Sequence, residues 1–164
     1  MAVTATPSFG TATAVTVTLA SLASSTADPP VGRESNVIDM TSIDAIDVWV
    51  GGKVTVGTTP TAGKYIQVWF APSYDGTTYA GSATGSDAGL TPTNVELMRL
   101  AATIVTKATT SNVTFNWGVC ASEVFGPSLP PKFNVFFTHN TGVNLNSTGG
   151  NHELKYRAVN YESA

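Results

Sequence analysis

The chain has 164 residues, a length that suits one domain with a substantial buried core. Only 12% of the residues are charged, about half the share found in ordinary soluble domains, and the net charge at pH 7 is −3, so Thr, Ser, Asn and Gly supply much of the polar surface. The eight basic residues are scattered, Cys120 is the single cysteine, and no apolar run approaches ~18 residues, so we expect no nucleic-acid partner, no membrane partner and no internal disulfide framework.

The first thirty residues are predicted to form an extended arm. This stretch is rich in Ala and Thr, ends in Pro29 and Pro30, and lacks the basic start and the unbroken apolar block of a secretion signal. We therefore expect an N-terminal arm and linker over 1–30, followed by a single β-sandwich domain over 31–164. In an assembly, such an arm commonly lies across a neighbour.

Strands are predicted along almost the whole chain. The apolar runs are short, rich in Val, Ile, Thr and aromatic residues, and bounded by Gly, Pro, Asn or Ser. The predicted strands occupy 14–20, 35–40, 45–57, 64–73, 95–105, 112–121, 132–139 and 152–161. The run 95–105 stays ambiguous, because Val95, Met98 and Ala102 also recur at helical spacing.

The breaks between these runs indicate how the strands connect. Gly51-Gly52 predicts a bulge or a corner inside a strand, and 58–63 predicts a hairpin loop. The polar stretch 74–94 predicts a long loop, whereas the proline-rich 126–132 suits a rigid crossing from one sheet to the other. About eight strands with long crossovers and no helices predict an all-β fold, an antiparallel two-sheet sandwich, with a jelly roll as the favoured version.

Both histidines flank one loop rich in Gly and Asn. His139 and His152 cannot fill a zinc site by themselves, and Glu153 would point to the opposite face of a strand from His152. We expect a wide turn in which Asn144 and Asn146 tolerate unusual backbone angles. If the two imidazoles meet across that hairpin, the loop is pH-sensitive without being a site.

The remaining polar residues suggest no catalytic centre. Asp39, Asp44 and Asp47 lack the close spacing of a calcium loop, so we expect solvated strand faces. Cys120 lies in an apolar run, where an inert buried thiol is expected. No nucleophile elbow, phosphate loop or dinucleotide motif is present, so the sequence predicts no enzyme and no catalytic, cofactor-binding or metal-binding residue.

Aromatic residues offer the main alternative. Trp49, Trp69 and Trp117 each lie inside a predicted strand, so we expect them in the core. A second possibility is that tryptophans and the two loop tyrosines form a platform on which sugars stack. The candidate contacts for a protein partner or a glycan are Tyr74, Asp75, Tyr79, Asn144 and Asn146.

Three motifs carry a resemblance to a known family. They are G-R-E-S at 32–35, V-G-G-K-V-T-V-G-T-T-P-T-A-G at 50–63, and T-H-N-T-G-V-N-L-N-S-T-G-G-N-H at 138–152. Over 31–79 and 130–162 the chain resembles small structural proteins of tailed bacteriophages. The family offers no catalytic motif to carry over.

The resemblance implies a virion component, assembled in the host cytoplasm, that sits on the outside of the head. Such a capsid decoration or cement protein would bind the major capsid protein as a homo-oligomer, a dimer or a trimer. The alternative is a tail or head-fibre component with a carbohydrate-binding sandwich. No cofactor is implied.

Overall fold

The computed structural model describes residues 5–107 and 111–163 and confirms the all-β sandwich. The first sheet has the order β1-β11-β5-β9, with β2 also on β11, and its strands are β1 (Ala5–Phe9), β2 (Thr13–Ala14), β5 (Asp47–Thr55), β9 (Thr114–Cys120) and β11 (Glu153–Ser163). The second sheet has the order β7-β3-β10-β6-β8, with β4 also on β10, and its strands are β3 (Gly32–Glu34), β4 (Ile38–Asp39), β6 (Tyr65–Ser73), β7 (Ala88–Leu90), β8 (Arg99–Val105) and β10 (Lys132–His139). Every strand pair is antiparallel.

The main core fills the space between the two sheets. It forms because alternate residues of the long strands point inward, as the period of two in a strand requires. The inward residues of β5, β6 and β10 are apolar and almost fully buried, and they are Val48, Val50, Val54, Ile66, Val68, Phe70, Phe133, Val135 and Phe137. The strand predictions over 45–57, 64–73, 132–139 and 152–161 therefore hold to within a few residues.

Short helical segments correct the expectation that the fold has none. A single-turn helix, α1 (Ala121–Phe125), ends the strand predicted over 112–121, because Ala121 turns into the core and Asp47 accepts a hydrogen bond from the amide of Ser122 at 3.1 Å. The ambiguous run 95–105 contains both elements, a 3₁₀ turn over Val95–Leu97 followed by β8. Further 3₁₀ turns lie at Met40–Ser42, Ala80–Ser82 and Gly149–Asn151. Within the described residues, no helix has the length and apolar character to cross a membrane.

The N-terminal segment packs on its own sandwich. β1 and β2 pair with β11, and beyond them the amide of Val15 donates to the carbonyl of Leu154 at 2.9 Å. Val15 and Leu19 are buried in the main core. The strand predicted over 14–20 is therefore wrong beyond Ala14. The described part of the predicted arm 1–30 holds the short strands β1 and β2 and packs on the sandwich, so it is not a free arm.

Two connections and one glycine pair differ from the predictions. The 58–63 loop and the 140–152 loop each join strands of different sheets, so neither closes a hairpin. Gly51 and Gly52 interrupt nothing, since β5 keeps an unbroken register with both β9 and β11. A β-carbon on Gly52 would lie 1.9 Å from the carbonyl oxygen of Glu153, so close strand approach explains that glycine. The proline-rich 126–132 does cross between the sheets, as predicted.

The long segment 74–98 covers the outer face of the second sheet. It encloses a second, smaller core with buried Ala83, Leu90 and Met98 packed near Ala71 of β6 and Phe136 of β10. The buried side chain of Glu34 fastens the segment, because its carboxyl oxygens accept hydrogen bonds from the amides of Thr84 at 2.8 Å and Gly85 at 3.1 Å. This stretch is thus a structural cover and not a free polar loop.

Candidate functional site

Asp75 shapes the loop that follows β6. Its carboxyl group accepts hydrogen bonds from the amides of Thr78 at 2.7 Å and Thr77 at 2.8 Å, and from the hydroxyl of Ser73 at 3.1 Å. These bonds, above all that from Thr78, hold the pKa of Asp75 well below its usual range. The carboxyl group of Asp75 therefore stabilises the loop conformation, and Asp75 also lines the groove described next.

The predicted tyrosines meet around one open groove. Tyr74 is 64% exposed, whereas Tyr79 is half-buried and its pKa is raised by burial. The ring of Tyr79 lies against Gly85, where a β-carbon would come within 3.0 Å of it. We call this depression of about 410 Å³ the tyrosine groove; it is lined by Pro72, Tyr74, Asp75, Tyr79, Leu97 and Arg99. The structure thus brings three of the five predicted contacts together.

The other two predicted contacts belong to the 140–152 loop and do not line the tyrosine groove. Asn146 holds that loop together: its side-chain oxygen accepts from the amide of Thr148 at 2.9 Å, and its amide nitrogen donates to the side-chain oxygen of Asn112 at 2.9 Å. Asn144 is exposed, and its carbonyl approaches Gly57 so closely that a β-carbon there would lie 2.1 Å away. Asn146 is therefore a framework residue.

Each histidine has its own backbone partner. His139 is buried, with Nε2 3.0 Å from the carbonyl oxygen of Leu22 and Nδ1 3.0 Å from the hydroxyl of Thr141. The Nε2 atom of His152 lies 2.8 Å from the carbonyl oxygen of Asn146. Burial lowers the pKa of both imidazoles, which favours their neutral forms. Because β10 and β11 lie in different sheets, the 140–152 loop is not a hairpin across which the two imidazoles could meet.

Titratable residues elsewhere serve the framework. Asp39 accepts hydrogen bonds from the hydroxyl and the amide of Thr41, which with Lys132 lower its pKa, and Asp47 accepts from both the amide and the hydroxyl of Ser122 at the start of α1. The half-buried Cys120 has its pKa raised by burial, so its thiol stays protonated near neutral pH. Among the described residues, no three His, Cys, Asp or Glu side chains form a group that could hold a metal ion.

The three tryptophans have different surroundings. Trp117 is buried, and its ring meets Phe137 edge-on with the centroids 5.8 Å apart. Trp69 packs against the second core, beneath the 74–98 segment. Trp49 points to the outer face of the first sheet and is only half-buried, so the prediction of a core position is wrong for this residue.

A second open groove surrounds Trp49. This groove of about 830 Å³ crosses β5, β9 and β11 on the outer face of the first sheet. We call it the tryptophan groove; the side chains that line it include Phe9, Trp49, Lys53, Asn116, Lys155 and Arg157. Sequence reasoning missed it, although Trp49 alternates with the buried Val48 and Val50 and so belongs to the outward set.

The two grooves offer aromatic surfaces, cations and amides. Among the described residues no histidine or cysteine lines either groove, and the exposed aromatic rings, cations and amides suit both grooves to binding. No protein-family model, curated protein or solved structure matches the chain. A functional conclusion therefore depends on the sequence motifs and on the exposed surfaces.

Proposed function

We propose that this protein is a structural component of a tailed-phage virion, a decoration or cement protein that binds the outer head surface and stabilises the capsid lattice. Its partners are the major capsid protein and further copies of itself. The motif resemblance supports this proposal, and the motifs lie in framework elements. The first three residues of G-R-E-S form β3, Glu34 and Ser35 are both buried, and the segments 50–63 and 138–152 include two of the loops that connect the sheets.

The observation that carries the proposal is an exposed apolar edge. β8 is the last strand of the second sheet, and Tyr65 and Val105 are neighbours in the register of β6 and β8. Val105 is 61% exposed, Leu97 54% and Leu100 47%. We call Tyr65, Leu97, Leu100 and Val105 the apolar edge. An edge strand with exposed apolar side chains and free backbone groups is suited to pairing with another chain.

Low charge adds to this argument. A surface with few charges lacks the repulsion that keeps soluble proteins apart, so many copies can pack closely on one shell. Weak contacts repeated on a symmetric lattice combine through avidity into stable attachment. Leu97 belongs both to the apolar edge and to the tyrosine groove, so we treat the two as one candidate contact region.

Binding to empty heads of the cognate phage tests the proposal. We expect the full-length protein to cosediment with heads and to raise their resistance to heat and chelator. Introducing charges through Leu100→Asp and Val105→Asp should abolish binding, whereas the control Ile46→Asp, at a side chain that is 57% exposed elsewhere, should not. Light scattering on the same variants would report the oligomeric state. The proposal would be contradicted if the protein does not bind heads, or if virions that lack it resist heat and chelator as well as complete virions do.

The tyrosine groove supports the second candidate, a tail or head-fibre component with a carbohydrate-binding sandwich. An exposed ring such as that of Tyr74 can stack on the apolar face of a sugar, and Arg99 lies beside it. This candidate would be favoured over the first if the protein binds glycans, loses that binding in Tyr74→Ala, and does not bind heads.

A further inference from the structure

Two glycines support the indole ring of Trp49 on the outer face of the first sheet. A β-carbon on Gly118 would lie 2.2 Å from Cζ2 of Trp49, and one on Gly51 would lie 2.5 Å from Cη2. The ring therefore lies flat across β5 and β9, on a floor that only glycine permits. Its other face opens into the tryptophan groove, where Phe9 is 54% exposed. The result is a flat, supported aromatic platform.

Positive charge surrounds this platform. Lys53, Lys155 and Arg157 line the groove, against one carboxylate, Glu153, in a chain whose net charge is −3. Lys155 forms an ion pair with Glu153. In the strand register Arg157 is directly opposite Trp49, and both residues line the groove. The groove is thus locally cationic and suits an anionic ligand.

The groove also offers neutral hydrogen-bonding groups. Asn116 of β9 is opposite Lys53 of β5, and its amide can both donate to and accept from hydroxyl groups. A planar guanidinium such as that of Arg157 matches a carboxylate with two parallel hydrogen bonds. An apolar ring face, a carboxylate and several hydroxyls are the features of an acidic sugar.

From this arrangement we propose that the tryptophan groove binds an acidic saccharide of the uronic-acid class. One sugar ring stacks on Trp49 with its carboxylate on Arg157, and the next sugar along the sheet meets Lys53 and Asn116 with its carboxylate and hydroxyls. A nucleic-acid strand fits less well, because it requires cations and aromatic rings repeated along several nucleotides. The inference goes beyond the proposed function: a protein attached to the head through its apolar edge would leave this site on the other sheet free to hold surface polysaccharide.

Titration of the full-length protein with an oligomer of galacturonic acid tests this site. We expect saturable binding that weakens as salt is added, because the carboxylate contacts are screened. Trp49→Ala and Arg157→Gln should each weaken binding by about tenfold or more. Two matched controls lie in the tyrosine groove, and neither Tyr74→Ala nor Arg99→Gln should change the affinity. Circular dichroism would establish that each variant is folded.

Three comparison ligands make the test decisive. A neutral glucose oligomer of equal length should bind at least about tenfold more weakly, and polyglutamate, which has the charge without the ring, should bind equally weakly. A single-stranded oligothymidylate is the third ligand. Absence of galacturonate binding, equal binding of any comparison ligand, or equal losses in Tyr74→Ala and Arg99→Gln would overturn the proposal. Because heads are absent from this assay, its failure is separate from any failure of the decoration role.

Discussion

The outer faces of the two sheets each carry one tryptophan, and the surroundings of the two side chains differ. Trp69, on β6, is packed against the second core that the 74–98 segment builds over the second sheet. Trp49, on β5, has no such cover and lines an open groove on a floor of glycines. Both residues belong to the outward-pointing set of their strands, so the local sequence predicts the same environment for each.

The difference arises from distant parts of the chain. The cover of the second sheet is held by Phe136 beneath it and by the buried carboxyl group of Glu34 at its margin. On the first sheet, the corresponding positions opposite Trp49 and Gly51 are the long polar side chains Arg157 and Lys155 of β11. A sheet face becomes a second core or a binding surface according to which side chains the neighbouring strands supply.

The strongest test of this contrast uses two adjacent residues of β10. Phe136 and Phe137 are both fully buried, but Phe136 faces the second core and Phe137 the main core. Replacing either by Ala should lower the free energy of unfolding by about 3–5 kcal/mol in urea titrations. Hydrogen exchange should separate them: Phe136→Ala loosens mainly 80–98, whereas Phe137→Ala raises exchange in both sheets. Identical exchange profiles would show that the cover is not an independent unit.

Glu34 gives the next largest effect. In Glu34→Ala the amides of Thr84 and Gly85 and the side-chain amide of Asn134 lose a buried acceptor, which should cost about 2–3 kcal/mol of unfolding free energy. The matched control is Glu96→Ala, an exposed residue of the same covering segment, which should stay within about 0.5 kcal/mol of the wild type. Equal losses of unfolding free energy in the two variants would show that Glu34 does not hold the 74–98 segment in place.

The sequence predicts what local periodicity encodes. Val48, Val50 and Val54 alternate in β5, and β10 is rich in Phe and Val, so both strands can be identified without tertiary information. The pattern fails over 14–20, where Val15 and Leu19 alternate with Thr as in a strand. There the backbone bonds to other parts of the chain, as when the Thr16 carbonyl accepts from the amide of Asn36, and the described ladder stops at Ala14.

Features that depend on distant residues could not be predicted. Gly51 suggests a local bulge, but its cause is the Trp49 ring and the neighbouring β9 strand. The tyrosine groove was partly foreseen, because Tyr74 and Tyr79 are close in sequence. The tryptophan groove was not, because Phe9, Asn116 and Arg157 come from separate strands that only the fold brings together.

The two histidines should make the stability of the fold depend on pH, each to a different degree. His139 belongs to β10 and is almost fully buried, while His152 precedes β11 and is less so. Burial lowers both folded-state pKa values below the ordinary 6.5, so the unfolded chain binds protons first. Stability is then fully present above pH ~6.5 and falls as the pH drops towards the folded pKa, at about 1.4 kcal/mol per histidine for each pH unit between the two values.

Urea titrations between pH 5 and pH 7.5 would measure this slope, in a range that lies above the ordinary pKa of carboxyl groups. His139→Gln should flatten it more than His152→Gln, since neither glutamine can take up a proton and His139 is the more deeply buried. A slope that survives both substitutions would assign the pH dependence to other groups.

The smallest expected effect concerns the glycine floor. A β-carbon introduced by Gly118→Ala would collide with the Trp49 ring, but that ring borders an open groove and can swing outward. The substitution should therefore cost only about 1 kcal/mol, at the low end for added atoms, while shifting tryptophan fluorescence as the indole becomes more exposed. Gly89→Ala, in β7 with nothing within 4 Å, is the matched control and should change neither property. In a Trp49→Ala background the cost of Gly118→Ala should vanish, because the collision partner is gone. A loss as large as that of Phe136→Ala would mean that the indole is pinned in place, and the first sheet would then have a closed face like the second.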